Sequence, residues 1–144
     1  MSKKRLDTIL AIASSRAALS NSTKLNLIIG EFNSIATADS VSKEYRWLLK
    51  ILYTTRALDT CLSEIIAHKN WHGQSEKYSL GSYLKVLANN GALNENLRVY
   101  YQKNVVEDKR NKYMHETGAT PDRLIADRVL SEMLACLSTI LAGI

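Results

Sequence analysis

Hydrophobic residues recur three and four positions apart along almost the whole chain, which is the spacing of one face of an α-helix. A first stripe ends near Leu19, and a second begins after the polar cluster at residues 20–23. No segment shows the strict apolar–polar alternation that marks a half-buried strand. The stripes comprise Leu6, Ile9, Ala13 and Ala17, followed by Leu25, Ile28, Phe32 and Ile35.

The longest predicted helix covers about residues 42–69, after a polar break at residues 37–42. Its apolar positions alternate three and four apart, which is the seam expected of a helix inside a bundle. These positions are Leu48, Ile51, Thr55, Leu58, Leu62 and Ile65.

The second half of the chain carries clearer helix boundaries. After a loop at residues 70–77, a short helix is predicted to end at Gly91, because glycine accepts the left-handed conformation that follows many helices. A penultimate helix then covers about residues 94–117. Thr120 as N-cap and Pro121 at the first helical position open the last helix. The apolar stripes of these helices are Leu80, Leu84 and Leu87, then Ala126, Leu130, Met133, Leu137, Ile140 and Ile144.

Composition fits this helical pattern. One proline and six glycines in 144 residues leave little room for turn-rich β-structure, and the length is that of one domain. The sequence therefore predicts a single all-α domain over residues 1–144. We expect a bundle of about five to six helices, with an up-down core and long third and penultimate helices.

The charge and the cysteine content indicate the class of partner and the cellular compartment. A net charge of +5 suits a polyanionic partner such as RNA, although the same charge also serves solubility. Cys61 and Cys136 lie among apolar neighbours without metal-ligand spacing, which is typical of buried thiols in a reducing cytosol. The uncharged stretch at residues 133–144 is shorter than the roughly 20 residues of a membrane span. We therefore expect a cytoplasmic protein with no membrane segment.

The segment Arg110-Asn111-Lys112-Tyr113-Met114-His115 contains the groups needed for cutting RNA without a metal. The guanidinium of Arg110 is always charged and grips phosphate oxygens with a planar fork. His115 can take up and return a proton near neutral pH. In an α-helix Asn111 and His115 share one face, so the amide can orient the imidazole. The plainer alternative is that Arg110 pairs with Glu107 and that His115 is a helix-end residue.

Neighbouring charges offer further candidates. Lys109 and Lys112 flank the motif and are predicted to neutralise RNA phosphates, with a solvated helix face as the alternative. Asp59 on the long helix is a candidate to orient Arg110 or His115, with a salt bridge to Arg56 as the plainer account. No metal-ligand cluster and no cofactor motif appears in the sequence, so we expect neither a metal nor a cofactor.

The motif Arg110-Asn111-x-x-x-His115 resembles the R-x4-6-H signature of the HEPN superfamily, in its R-N-x-x-x-H form. Members of that family are all-α domains of about this length. Their motif closes a long penultimate helix, before a short loop and a last apolar helix, and residues 118–120 and the segment from Pro121 onward are similar to that arrangement. The likeness covers the architecture of the whole chain, but only Arg110, Asn111 and His115 at the level of the motif.

This resemblance implies a metal-independent endoribonuclease that acts as a toxin or as an antiphage or stress effector, with Arg110, Asn111 and His115 as catalytic residues. It also implies a homodimer whose motifs face each other, and an antitoxin or defence-system protein as a partner. One toxin branch, paired with a nucleotidyltransferase antitoxin, carries x-Tyr after the histidine, whereas Glu116 and Thr117 stand here. A catalytically inactive module that binds a protein or nucleotide is the alternative function.

Overall fold

The structure is a computed structural model that describes residues 3–41, 43, 45–75, 77–111 and 121–144, and for residues 108–111 it describes the backbone alone. Helices make up 82% of it, and the described residues contain no strand. The prediction of an all-α chain is therefore confirmed. Seven α-helices are present in the described part of the chain: α1 (Lys3–Ser15), α2 (Ala17–Ser20), α3 (Leu25–Val41), α4 (Arg46–His68), α5 (Leu80–Asn89), α6 (Glu95–Tyr101) and α7 (Arg123–Ala142).

The additional helix, relative to the five or six predicted, arises at Arg16. Its backbone is extended, with φ of −80° and ψ of 132°, and separates α1 from α2. The side chain of this residue makes a long-range contact, in which Arg16 Nε donates a hydrogen bond of 2.9 Å to the carbonyl oxygen of Leu141. A polar contact to the other end of the chain thus ends a helix that periodicity alone would continue to Leu19.

The helix directions follow from contacts between distant residues. Thr60 and Lys50 of α4 contact Glu31 and Asp39 of α3 respectively, so α3 and α4 run antiparallel. In contrast, Thr55 Oγ1 lies 3.7 Å from Met133 Sδ, and the first turn of α4 shares a cleft with the first turn of α7. Helices α4 and α7 are therefore parallel, and both begin at the same end of the bundle.

The core lies where α4 packs between α3 and α7. Five of the six predicted α4 stripe positions are buried, and Leu48 is half-buried. Each fully buried leucine or isoleucine contributes about 1.5–3 kcal/mol through removal of apolar surface from water. The buried stripe residues of the last helix are Ala126, Leu130, Met133, Leu137 and Ile140.

Two predicted boundaries were wrong. The polar stretch that begins at Thr37 does not end the helix, because α3 continues to Val41. The Thr37 hydroxyl donates to the Asn33 carbonyl oxygen within the helix. At the last helix, Asp122 is the N-cap, since its side chain accepts a 2.8 Å hydrogen bond from the Ile125 N–H. Proline 121 consequently precedes the helix, and Thr120 lies outside the described residues.

The end of α5 agrees with its sequence signal. Gly91 has a φ of 78°, in the left-handed region that glycine adopts without strain. The N–H of Gly91 bonds to the Ala88 carbonyl oxygen, and the N–H of Ala92 bonds to that of Leu87. This is a Schellman ending, in which two otherwise unpaired carbonyl groups of the helix are satisfied.

The penultimate helix begins as predicted, with Asn94 accepting a hydrogen bond of 2.8 Å from the Asn96 N–H. After Tyr101 it continues as a π-helical segment over Gln102–Asn111, where an α-helix was expected. The wider i→i+5 turn places Tyr101, Val105 and Val106 together against the core, and all three are buried.

Close packing fixes the start of this segment. Gly81 of α5 faces Gln102, and a Cβ atom at Gly81 would lie 3.0 Å from Gln102 Oε1. The absence of a side chain therefore lets α5 approach the π-helical segment at its first residue. Across the described residues, no helix is both long and apolar enough to cross a membrane.

Candidate functional site

The predicted catalytic motif lies at the boundary of the described chain. Arg110 and Asn111 are the last two residues of the π-helical segment, and their side chains, like that of Lys109, are not described. Lys112 and His115 lie outside the described residues. The contacts of the five motif and flanking residues with one another thus stay a prediction.

The backbone nevertheless changes one part of that prediction. Placing Asn111 and His115 on one face assumed the 3.6-residue turn of an α-helix. The turn that leads through Arg110 and Asn111 instead has i→i+5 hydrogen bonding. The α-helical spacing that the prediction assumed therefore does not hold in the turn that ends at Asn111.

The direction of the segment shows which end of the bundle the motif helix approaches. The Tyr101 hydroxyl lies 3.3 Å from that of Thr139, and the π-helical segment packs along α7. Only three residues of α7 follow Thr139. A helix that continues from Tyr101 along α7 must therefore run toward the beginning of α7, so Arg110 and Asn111 end the segment on that side.

A polar cleft opens at this same end of the bundle, where α3 ends and α4 and α7 begin. Its volume is about 340 Å³. It combines three cations, two carboxylates and one indole ring. The lining residues are Asp39, Arg46, Trp47, Lys50, Arg123 and Asp127.

The cations of the cleft are held by the indole and by the carboxylates. The guanidinium carbon of Arg46 lies 4.4 Å from the centre of the Trp47 ring, and Lys50 Nζ lies 4.8 Å from it, which are cation–π distances. Lys50 Nζ also contacts Asp39 Oδ1 at 3.1 Å, and Arg123 Nε lies 3.8 Å from Asp127 Oδ2. The arrangement presents one more positive than negative charge and is suited chemically to an anion.

Sequence reasoning missed this cleft because its residues come from three helices. One local signal was available. At the start of a helix, Trp47 follows Arg46 directly and Lys50 lies four positions after Arg46, so two cations flank one aromatic residue. The contribution of Arg123 depends on the parallel arrangement of α4 and α7, which no local pattern shows.

Asp59, the remaining predicted residue, is half-buried on α4 and lines a shallow pocket with Lys24, Leu27, Thr60, Ser63 and Tyr83. The structure thus places it beside α3 and α5. Its predicted role in orienting Arg110 or His115 stays a prediction, since those side chains are not described. Arg56, its proposed alternative partner, contacts Glu31 Oε1 at 3.8 Å.

Glu31 is a buried carboxylate that the sequence analysis did not single out. Its side chain is 8% exposed, and it accepts a 3.3 Å hydrogen bond from the Thr60 hydroxyl. Burial raises the pKa of Glu31 above its ordinary value of 4.5, while Thr60 and Arg56 oppose this shift and Asp59 adds to it. Its place between Ile28 and Ile35 in the α3 stripe was the available signal.

The two thiols have no nucleophilic role in this arrangement. Cys61 and Cys136 are both buried, as the sequence predicted. Burial raises the pKa of Cys61 to about 12 and raises that of Cys136 as well, because the thiolate is poorly solvated in the core. Among the residues that the structure describes, no group of three histidine, cysteine or acidic side chains is placed to hold a metal ion.

Comparison of the chain with protein-family models, curated proteins and solved structures found no significant match. The functional argument therefore rests on the motif residues and on the geometry of this bundle. Two features lie toward the end of the bundle where α4 and α7 begin: the last described turn of the motif helix and the cationic cleft.

Proposed function

We propose that the protein is a metal-independent endoribonuclease of HEPN type, acting as a toxin or as an antiphage or stress effector. The observation that carries the proposal is the sequence Arg110-Asn111-x-x-x-His115 at the end of the penultimate helix. Support comes from the all-α architecture, from the apolar last helix that follows, and from the net charge of +5, which favours a polyanionic substrate.

The proposed reaction is transesterification within the RNA strand. One histidine removes the proton from a ribose 2′-hydroxyl, whose oxygen forms a bond to the adjacent phosphorus. The bond from phosphorus to the 5′-oxygen breaks, and that oxygen receives a proton from a second histidine. The products are a 2′,3′-cyclic phosphate and a 5′-hydroxyl, and no water or metal enters this balance.

Each motif residue has a defined task in this reaction. Arg110 holds the non-bridging oxygens as negative charge builds on the phosphorane. Asn111 orients the imidazole of His115, and Lys109 and Lys112 neutralise neighbouring phosphates. Because one chain has only one motif histidine, we infer a homodimer in which two motifs face each other and supply both proton transfers.

A fluorogenic RNA assay in the presence of EDTA tests the proposal. His115→Ala should lower the cleavage rate by about 10²–10⁴-fold, the usual contribution of a general acid or base. Arg110→Ala should lower it by about 10²–10³-fold through lost charge stabilisation. Mass spectrometry should detect the cyclic phosphate, and RNA methylated at every 2′-oxygen should remain intact.

Matched controls are available within the chain. Arg98 lies earlier in the same helix and pairs with Glu95 at 2.7 Å, and His72 is an exposed histidine at the start of a short 3-10 helix, His72–Gln74. Arg98→Ala and His72→Ala should cleave RNA like the unaltered protein. If motif and control variants cleave equally, the activity comes from a contaminant. If the unaltered dimer cleaves no RNA, the alternative of an inactive binding module replaces the nuclease.

A further inference from the structure

The cleft where α4 and α7 begin contains a cation that differs from the other two. Lys50 and Arg123 each contact a carboxylate, Asp39 and Asp127 respectively. The contact found for Arg46 is the one to the face of Trp47. Its Nε atom is shielded from solvent and has no hydrogen-bond partner in the described part of the chain. Among the described residues, Arg46 is thus the cation of this cleft that has no carboxylate contact.

The geometry of the Arg46 guanidinium suits an oxyanion as the ligand. The Arg46 guanidinium lies over the Trp47 ring, and a guanidinium is a planar, permanently charged donor that matches the oxygens of an oxyanion. Phosphate accepts such a fork through two oxygens. The helix dipoles add to the attraction, because α4 and α7 both begin here and the positive end of each helix dipole is its N-terminus.

The two carboxylates of the cleft must be weighed against an anion. The Asp39 side chain is 51% exposed and the Asp127 side chain 37% exposed, so both have access to water when displaced from their cations. The Arg123–Asp127 pair is exposed on both sides, and exposed ion pairs are weak. An entering phosphate can therefore exchange for Asp127 at Arg123. The cleft volume of about 340 Å³ accommodates a phosphate with part of its sugar.

We propose that this cleft binds a backbone phosphate of single-stranded RNA. The inference rests on the proposed function, because it assigns the cleft to the strand that the motif cuts. The end of the motif helix and the cleft lie toward the same end of the bundle. Arg46 and Arg123 are binding residues in this assignment, and Trp47 positions Arg46.

Anisotropy of a fluorescent, fully 2′-O-methylated RNA 12-mer measures binding without cleavage. The double variant Arg46→Ala/Arg123→Ala should weaken binding at least tenfold. Its slope of log affinity against log salt should fall by roughly 1.4, which corresponds to two lost phosphate contacts on a single strand. Each single variant should produce an intermediate loss.

The control removes the same charge elsewhere. Lys69 follows the other end of α4, and Lys85 is exposed on α5. Lys69→Ala/Lys85→Ala should weaken binding less than threefold, since only the long-range charge changes. Equal weakening by the two double variants would overturn the cleft assignment in favour of general attraction. Thermal melting of each variant verifies that the bundle is intact.

A second readout leaves the cleft unaltered. In a Trp71→Phe background Trp47 is the sole tryptophan, and its emission should change as the RNA 12-mer is added. An unchanged emission at saturating RNA would contradict the proposal even if the arginine variants failed to fold. Adenosine monophosphate serves as the comparison, and binding as tight as that of the 12-mer would identify a mononucleotide site instead.

Failure of the cleft and failure of the nuclease are distinguishable. If Arg110→Ala and His115→Ala bind the methylated RNA normally but the unaltered protein cleaves no RNA, the proposed function fails while binding at the cleft stands. If the unaltered protein cleaves RNA and Arg46→Ala/Arg123→Ala binds and cleaves equally well, the cleft assignment alone fails.

Discussion

Helices α3 and α4 are joined by two ion pairs that are opposite in burial. In the pair Glu31–Arg56 the carboxylate is buried, at 8% exposed, and the guanidinium is 58% exposed. In the pair Asp39–Lys50 the lysine side chain is the better shielded, at 13% exposed, and the carboxylate is 51% exposed. The better-shielded partner is therefore the negative group in one region and the positive group in the other.

This difference shows that an ion pair is best judged by the group that would remain buried if its partner were removed. At Glu31, burial raises the pKa of the carboxyl group, and Thr60 and Arg56 are the two groups that lower it. At Lys50, the amine also lies over the Trp47 ring and lines the polar cleft. Burial of the Glu31 carboxylate therefore lowers the stability of the fold at high pH, whereas the cleft beside Lys50 is suited to binding an anion.

The largest effect should come from removing the cation of each of these two ion pairs in turn. Arg56→Met leaves a buried carboxylate without its cation and should lower the free energy of unfolding by about 1–2 kcal/mol at neutral pH. Lys50→Met leaves an exposed carboxylate, keeps an apolar chain beside Trp47, and should cost less than about 1 kcal/mol. Urea denaturation of both variants measures the difference, and a larger loss for Lys50→Met would reverse the comparison.

The next effect concerns pH. The folded pKa of Glu31 is raised, so between its unfolded value near 4.5 and the folded value the native state holds a proton that the unfolded state lacks. Stability contributed by this group is therefore present at low pH and is lost as pH rises through that window. Glu31→Gln should abolish this loss, so its advantage in melting temperature over the unaltered protein should grow with pH and then level off.

Asp39→Asn is the matched control, because it removes a half-exposed carboxylate of α3 and leaves the buried Glu31 in place. Parallel melting curves for Glu31→Gln and the unaltered protein at every pH would mean that Glu31 titrates alike in the folded and unfolded chains.

A smaller effect is expected from the hydrogen bond to Glu31. Thr60→Val removes the hydroxyl that donates to Oε1 at 3.3 Å and should cost about 1 kcal/mol at neutral pH. Thr37→Val, which removes an exposed hydroxyl bonded within α3, should change stability by less than about 0.5 kcal/mol. Chemical denaturation at neutral pH compares the two, and equal losses would show that the buried carboxylate gains nothing from Thr60.

The smallest effect should come from salt. Raising the ionic strength from about 0.1 M to about 1 M shortens the screening length from roughly 10 Å to 3 Å. The stability difference between the unaltered protein and Arg56→Met should shrink by about 0.3 kcal/mol, since one member of that pair lies in water. Repeating the denaturation at both salt concentrations measures this change, and an increase would contradict it.

The sequence predicted those parts of the fold that depend on neighbouring residues. The apolar stripe of α4, the left-handed Gly91 and the start of the penultimate helix near Asn94 are local features, and the structure agrees with each of them. The break at Arg16 was missed because its cause is a hydrogen bond to Leu141, at the far end of the chain. A polar run misplaced the end of α3, because threonine can bond within a helix as readily as end it.

The candidate site divides in the same way. Arg110, Asn111 and His115 were found from spacing along one helix, and their arrangement stays a prediction. The cleft around Arg46 depends on the parallel packing of α4 with α7, and the burial of Glu31 depends on the contact of α3 with α4. Periodicity assigns each helix a buried face but does not determine which helices share an end.

Gly81 packs against Gln102, the residue at which the π-helical segment of the motif helix begins. Adding one methyl group at Gly81 would press on the Gln102 amide, since the new carbon would lie 3.0 Å from its oxygen. Gln102 is the first residue of the π-helical segment that ends at Arg110 and Asn111. A Gly81→Ala substitution therefore requires the Gln102 side chain to move by a few tenths of an ångström, at the start of the segment that carries the motif.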